Sequence, residues 1–137
     1  MTPKEAAKAV FERFQATWGD DPLTSGMPLM RQGARDEAPK DRTAWARIAV
    51  HGATGEQVSL GGSGGGLYRR DGTVHIQCFG RDAEEAHDMA EVAMRAFEDG
   101  GSSPWFYDVS YGPCRRDSHW LRINVTAGFA YHVTRAA

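Results

Sequence analysis

Five histidines, two cysteines, 18 acidic and 16 basic side chains are the reactive stock of this sequence. His51, His75, His87, His119 and His132 show no His-x-x-x-His spacing, and Cys78 and Cys114 form no Cys-x-x-Cys pair, so no zinc motif is expected. His75 and Cys78 stand three apart in an alternating stretch and face opposite sides. His87 and Glu91 share a helix face and read as a solvated pair. A cysteine nucleophile needs an activating base and usually cationic surroundings. Cys78 lies on the apolar parity of Val74 and Ile76, which is a core position. Cys114 precedes two arginines, but sits in a turn between Gly112-Pro113 and Asp117 with no constellation around it. No carboxylate pair stands out as an acid–base dyad. The residues predict no visible catalytic centre, no metal and no cofactor.

Binding features are easier to find. The run Gly61-Gly62-Ser63-Gly64-Gly65-Gly66 lies between two strand patterns and is followed by Leu67-Tyr68, so it is neither a phosphate loop nor a dinucleotide fingerprint. It reads either as a mobile hairpin tip or as a loop that orders against a partner. Arg69-Arg70-Asp71 opens a strand and Arg115-Arg116-Asp117 forms a turn. Trp45 and Trp120 fall on the mostly polar parity of their strands. Each either covers a second layer of the fold or sits in a subunit interface, where tryptophan is enriched.

The elements that must position these residues are legible from periodicity. Thr2-Pro3-Lys4-Glu5 carries a cap, a first-turn proline and a capping box. Ala6, Val10 and Phe14 follow as an apolar stripe, flanked by Ala7 and Phe11, so a helix is predicted over 1–18. Residues 19–43 hold three of the six prolines and no period, and predict a long irregular connection. The remainder, 44–137, predicts a sheet with a second helix. Ala44, Ala46, Ile48 and Val50 alternate in a first strand, Val58 and Leu60 in a short second, and Val74, Ile76 and Cys78 in a third, with Asp71-Gly72 marking a turn or bulge. Asp82-Ala83-Glu84-Glu85 caps a helix whose stripe is Ala86, Met89, Ala90, Ala93 and Phe97. Tyr107, Val109 and Tyr111 alternate in a fourth strand. Leu121, Ile123, Val125, Ala127, Phe129, Tyr131 and Val133 hold one parity in a long last strand, with a bend expected at Gly128. The expectation is one α+β domain over 1–137, a mainly antiparallel sheet of four to five strands with two helices packed on one face.

Composition bounds the function. At 137 residues there is room for one core, and the formal net charge of -2 argues against a dedicated nucleic-acid binder. No apolar run is long enough to predict a membrane helix. The N-terminus has no apolar signal core and two cysteines are too few for a disulfide scaffold, so a reducing cytoplasm is expected. Leu, Ile, Val and Phe together number 22, which leaves the core to 14 aromatics and 19 alanines and suggests surface buried against neighbours.

The ordered series of strands and helix resembles the small tail terminator, or tail completion, proteins of long-tailed bacteriophages and gene transfer particles. Ala44-Trp45-Ala46-Arg47-Ile48 and Val58-Ser59-Leu60-Gly61-Gly62 match its first two strands. Residues 68–79 carry the Arg-x-Gly-x-x-x-(Val/Ile)-Gln-x-Phe pattern, and residues 120–129 the closing Trp-x-x-x-Asn-Val-x-x-x-Phe pattern. Gly128 stands where the family often has proline, and Gly80-Arg81 replaces a longer segment before the second helix.

The resemblance implies a structural ring, typically of six copies, at the head–tail junction of a particle assembled in the bacterial cytoplasm. Its partners would be further copies of itself, the tail tube protein and a head-side stopper or connector, with DNA passing through without specific binding. Gly61, Gly62, Ser63, Gly64, Gly65, Gly66, Arg69, Arg70, Trp45, Trp120, Arg115 and Arg116 are the candidate subunit or tube contacts. Another head–tail connector, such as a stopper, is the alternative within virion proteins. A small-molecule-binding or enzymatic α+β domain is the alternative outside them.

Overall fold

Thr2 starts the first helix, α1 (Pro3–Asp20), with its hydroxyl accepting the Glu5 N–H at 3.2 Å. A computed structural model of the chain describes residues 1–31, 43–60, 66–98 and 103–135. The predicted stripe is the buried one, as Ala6, Val10, Phe14 and Trp18 face inward.

The expected irregular connection is corrected in part. Thr24 is buried and its hydroxyl donates to the Trp18 carbonyl at 2.6 Å, while the Trp18 indole N–H donates to the Met27 carbonyl at 3.1 Å. The chain then forms a short strand, β1 (Leu29–Arg31), parallel to β2 (Trp45–Leu60), and the Ala46 N–H donates to the Pro28 carbonyl at 3.0 Å. Three residues are too few to show alternation, which is why sequence periodicity passes over β1. Residues 32–42, the rest of that connection, lie outside the described residues.

Val58 and Leu60 do not form a separate strand but continue β2. β2 pairs antiparallel with β3 (Gly66–Gly80) from Trp45↔Phe79 to Leu60↔Gly66, with Val58 at a register shift between Gln57 and Ser59. Asp71-Gly72 makes no turn. It lies inside β3, opposite a register shift on β2 between Gly52 and Thr54, so the bulge sits on the facing strand. Gly61, Gly62, Ser63, Gly64 and Gly65 join β2 to β3 and lie outside the described residues; Gly66 opens β3.

Helix α2 (Ala83–Glu98) begins with the Glu85 N–H donating to the Asp82 carboxylate at 2.8 Å. The Glu85 carboxylate accepts from the backbone N–H and the guanidinium of Arg81, which holds its pKa below the usual carboxylate range. β4 (Trp105–Tyr111), β5 (Arg115–Asp117) and β6 (Trp120–Arg135) complete the chain. Arg115-Arg116-Asp117, expected as a turn, is instead a strand, paired to β6 across Ser118 and His119, with Ser118 at a φ of 58°.

The sheet order is β1-β2-β3-β6-β4, with β5 added on β6, and all pairings except β1–β2 are antiparallel. The architecture is α+β with six strands, above the four to five expected, and both helices pack on one face. That face supplies Ala46, Ile48, Val74, Ile76, Cys78, Ile123, Val125, Ala127 and Phe129 to the core beneath α1 and α2. Phe14 stacks on Phe97 at 6.0 Å and Phe97 meets Phe106 at 4.8 Å, so aromatics fill much of the space between helices and sheet.

Two glycines are demanded by rings. A Cβ on Gly72 would stand 2.4 Å from the Phe129 ring and 2.6 Å from the His51 carbonyl oxygen; one on Gly128 would stand 2.4 Å from the Tyr107 ring. By contrast, Gly19 in α1 has open space around it. Gly72→Ala is therefore expected to destabilise by about 1–3 kcal/mol through overpacking. Gly19→Ala should stabilise by roughly 0.5–1 kcal/mol. Urea unfolding of the two variants checks both signs.

Candidate functional site

The sheet face away from the helices is built by the odd-numbered residues of β2 before its bulge and of β3, together with the even-numbered residues of β6. Cross-strand pairs such as Trp45↔Phe79, Arg47↔Gln77 and Gln77↔Asn124 place these side chains side by side. Among the described residues no helix covers this face. It carries three groupings along its length.

At one end Trp45 stacks on Phe79 at 4.2 Å with the rings nearly parallel, and Trp120 and Met30 join them. The three rings are 3–8% exposed. Trp45 and Trp120 are thus buried within one cluster and leave little free surface. The Arg47 guanidinium lies 5.3 Å from the Trp45 ring and donates to Gln77 at 3.1 Å. Arg122 donates to Asp117 at 2.9 Å, so Asp117 turns to Arg122 and not to its neighbours in the chain. Arg115 and Arg116 stand exposed on β5 at this end.

In the middle, His51 and His75 meet edge to face at 5.1 Å. With Arg47, Gln77, Asn124 and Thr126 they line an open groove of about 390 Å³. Partial burial, and then the neighbouring His51, push the His75 pKa below its ordinary value.

At the far end lies Arg69. Its Nε and Nη2 donate to one Asp71 oxygen at 3.1 and 3.0 Å, and the Tyr107 hydroxyl donates to that same oxygen at 3.0 Å. The guanidinium stands 5.4 Å from the Trp105 ring and 5.9 Å from the Tyr107 ring, and His132 packs on Trp105 at 5.0 Å. The hydrogen bonds to Asp71 raise the Arg69 pKa. Burial, then the bond to Asp71, raises that of Tyr107. Arg69 keeps 37% of its side chain exposed. The result is a cation with its rotamer fixed from below and its outer side open to a partner. Arginine, tryptophan and tyrosine together are the side chains in which binding energy concentrates at protein interfaces.

The structure thus divides the candidate contacts. Arg69 joins the far cluster, while Arg70 points to the opposite side of β3 by strand alternation. Trp45, Trp120, Arg115 and Arg116 gather at the other end, about 34 Å away at the rise of a strand between Phe79 and Arg69. Trp105 and Tyr107 were missed by sequence reasoning. The alternation of Tyr107 with Val109 and Tyr111 suggests one face, but Asp108 has a φ of 52° and the register shifts between Tyr107 and Ser110. Tyr107 therefore lies on the outer face over Gly128, and Val109 packs on the helix-side core. A signal was present in Gly128, whose missing side chain makes room for a ring.

Among the described residues no group of three or more His, Cys, Asp or Glu side chains is placed to hold a metal, and no helix is long and apolar enough to cross a membrane. No protein-family model matches the sequence, and no curated protein does. The fold does recur among solved structures. One protein of unknown function superposes with a TM-score of 0.60 at 14% identity, over 100% of this chain and 99% of that one. That likeness is one of fold.

The histidine pair generates a pH expectation. A depressed His75 pKa means that the unfolded chain binds more protons below its ordinary value of about 6.5, so stability is fully present above that pH and is lost as pH falls. Melting temperatures measured from pH 7.5 to 5 should fall less steeply in His75→Gln than in the wild type. Parallel slopes would show that His75 takes no part.

Proposed function

We propose that this chain is a structural subunit of a ring that closes the head-proximal end of a phage-type tail tube and joins it to a head-side connector. The reading places it at the head–tail junction of a virion or gene transfer particle, in about six copies by the resemblance of its sequence to the tail terminators.

The observation that carries the proposal is the pre-ordered Arg69–Trp105–Tyr107 cluster on a helix-free sheet face. A ring subunit must bind the end of a tube and its own neighbours, and needs surfaces set in advance and no chemistry. Fixing Arg69 through Asp71 removes ordering cost at the moment of contact. A second support comes from the two sequence patterns that carry the resemblance. They interlock across the β3–β6 ladder, where Gly72 pairs with Phe129, Ile76 with Val125 and Gln77 with Asn124, while Phe79 packs against Trp120. The two patterns are thus one cross-strand unit, which strengthens the case that they belong together.

Charge bears on the channel. Six copies at -2 each would carry -12, and a lumen through which DNA slides should not grip phosphates, since neutralising them by basic side chains yields tight, salt-dependent binding. Arg69, Arg70, Arg115 and Arg116 are assigned to subunit or tube contacts.

Three measurements test the reading. Arg69→Ala should fold as the wild type does, yet lower tail joining by on the order of tenfold or more, as expected for a central arginine of an interface. Reconstructed particles should show the chain at the head–tail junction, and its absence there would sink the proposal. Titration with duplex DNA should give no tight binding at physiological salt. A steep salt slope that vanishes on changing those four arginines to alanine would favour a DNA-binding role.

A further inference from the structure

An apolar groove of about 400 Å³ opens between the first two turns of α1 and the inner side of β2. Half-buried Ala7, Phe11 and Val50 line it together with buried Ile48, near the start of β2. Exposed Lys4, Lys8 and Arg31 surround it, with the Arg31 guanidinium 3.3 Å from the centre of the Phe11 ring. Lys4 is a cation in the first turn of a helix, where the macrodipole disfavours it, and Lys8 has only a loose 3.8 Å contact with Glu12.

The opposite chemistry stands beyond the far end of the same helix. Leu23 is 51% exposed, one of two large hydrophobic side chains so exposed among the described residues. It is held rigidly, since its N–H donates to the Asp21 carboxylate at 2.9 Å, Arg95 pins Asp21 at 3.1 Å and the next residue, Thr24, is buried. Around it lie Asp82, Glu84, Glu85 and Asp88. Glu85 is engaged by Arg81 and Asp82 caps α2, whereas Glu84 and Asp88 are exposed at i and i+4, a like-charge spacing that disfavours the helix. The helix dipole accounts for acids in the first turn, but not for Asp88 or for an open leucine beside it.

An apolar knob ringed by carboxylates thus matches an apolar hole ringed by cations. The two cannot meet within one chain, because Ala7 and the end of α1 are separated by about 20 Å of helix. We infer that the groove receives Leu23 of a second copy of this chain, with Lys4, Lys8 and Arg31 meeting that copy's Glu84 and Asp88. Such a contact is head-to-tail, and repeats into a closed ring or an open filament according to its rotation. It rests on the ring reading only for closure.

Disulfide capture tests the contact in full-length protein carrying Cys114→Ser. Cys78 stays silent because it is fully buried, with its thiol pushed up to about 12. Under an oxidant even a brief encounter accumulates as a covalent product. Ala7→Cys mixed with Leu23→Cys should give the mixed dimer, and the double variant a ladder beyond dimer. K4E/K8E in the Ala7→Cys chain should lower the yield on the order of tenfold, with recovery when the Leu23→Cys chain carries E84K/D88K. Circular dichroism verifies folding of each surface variant. Symmetric Leu23–Leu23 links as the main product, no link, or a yield indifferent to charge reversal would overturn the docking. A chain missing from the head–tail junction but able to form the ladder would sink the ring reading alone. A chain present at the junction without the link would sink the docking alone.

Discussion

The pairing of β3 with β6, from Gly66↔Arg135 to Gly80↔Leu121, is the constraint on which the rest of the molecule depends. It is the central ladder of the sheet, and it is locked at its middle by two neighbouring ring-over-glycine fits on opposite faces. On the helix side the Phe129 ring occupies the space that a Gly72 side chain would need. On the outer side the Tyr107 ring lies over Gly128. A slip of one residue would drive both rings into backbone and exchange the two faces of the strand. The first fit belongs to the core. The second brings the Tyr107 hydroxyl to Asp71, and Asp71 is what holds Arg69. A packing requirement of the sheet therefore becomes the orientation of an exposed cation.

The same ladder separates two kinds of burial. The helix-side face is poor in large aliphatics, and α2 meets it with Ala86, Ala90, Ala93 and Ala96. Small side chains let the helix approach closely; the Ala86 backbone nitrogen is only 2.6 Å from where a Cβ on Gly80 would stand. Phe14, Trp18, Phe97 and Phe106 fill the rest by ring contacts. A low aliphatic content is thus compatible with a filled interior, and is weak ground for expecting large surfaces buried elsewhere. The Trp45–Phe79–Trp120 group on the other face is a second small core, made without a helix.

Much of this was legible in the residues. The stripes of α1 and α2 and the unbroken parity of β6 come directly from periodicity, since each is long enough for its period to repeat. What escaped did so for identifiable reasons. β1 has three residues and is parallel to β2, a pairing that leaves no local pattern. The bulge opposite Gly72 hides the continuity of β2, because one extra residue inverts the alternation on which a strand is recognised. In β4 a left-handed Asp108 transfers Val109 to the core side while Tyr107 stays outside. The Arg69 cluster was half visible: Arg69 and Asp71 stand two apart on one strand, but Trp105 and Tyr107 reach them only through the β4–β6 register. Long-range register is the part of a fold that local pattern does not encode.

That register also shapes what the outer face can bind. Its two aromatic groupings differ in exposure, and so in use. The Trp45 end is sealed and can add little area to a contact without rearrangement, whereas Arg69 remains open at 37% over half-buried Trp105 and Tyr107. An arginine stacked on rings and held by a carboxylate gives up little rotamer freedom on binding, so more of its interaction with a partner acidic group survives as affinity. Its partner must then present a carboxylate or carbonyl at one position, because a fixed fork does not follow a misplaced acceptor. Such rigidity suits a surface that must recognise one geometry, and suits poorly one that must let a polyanion slide past.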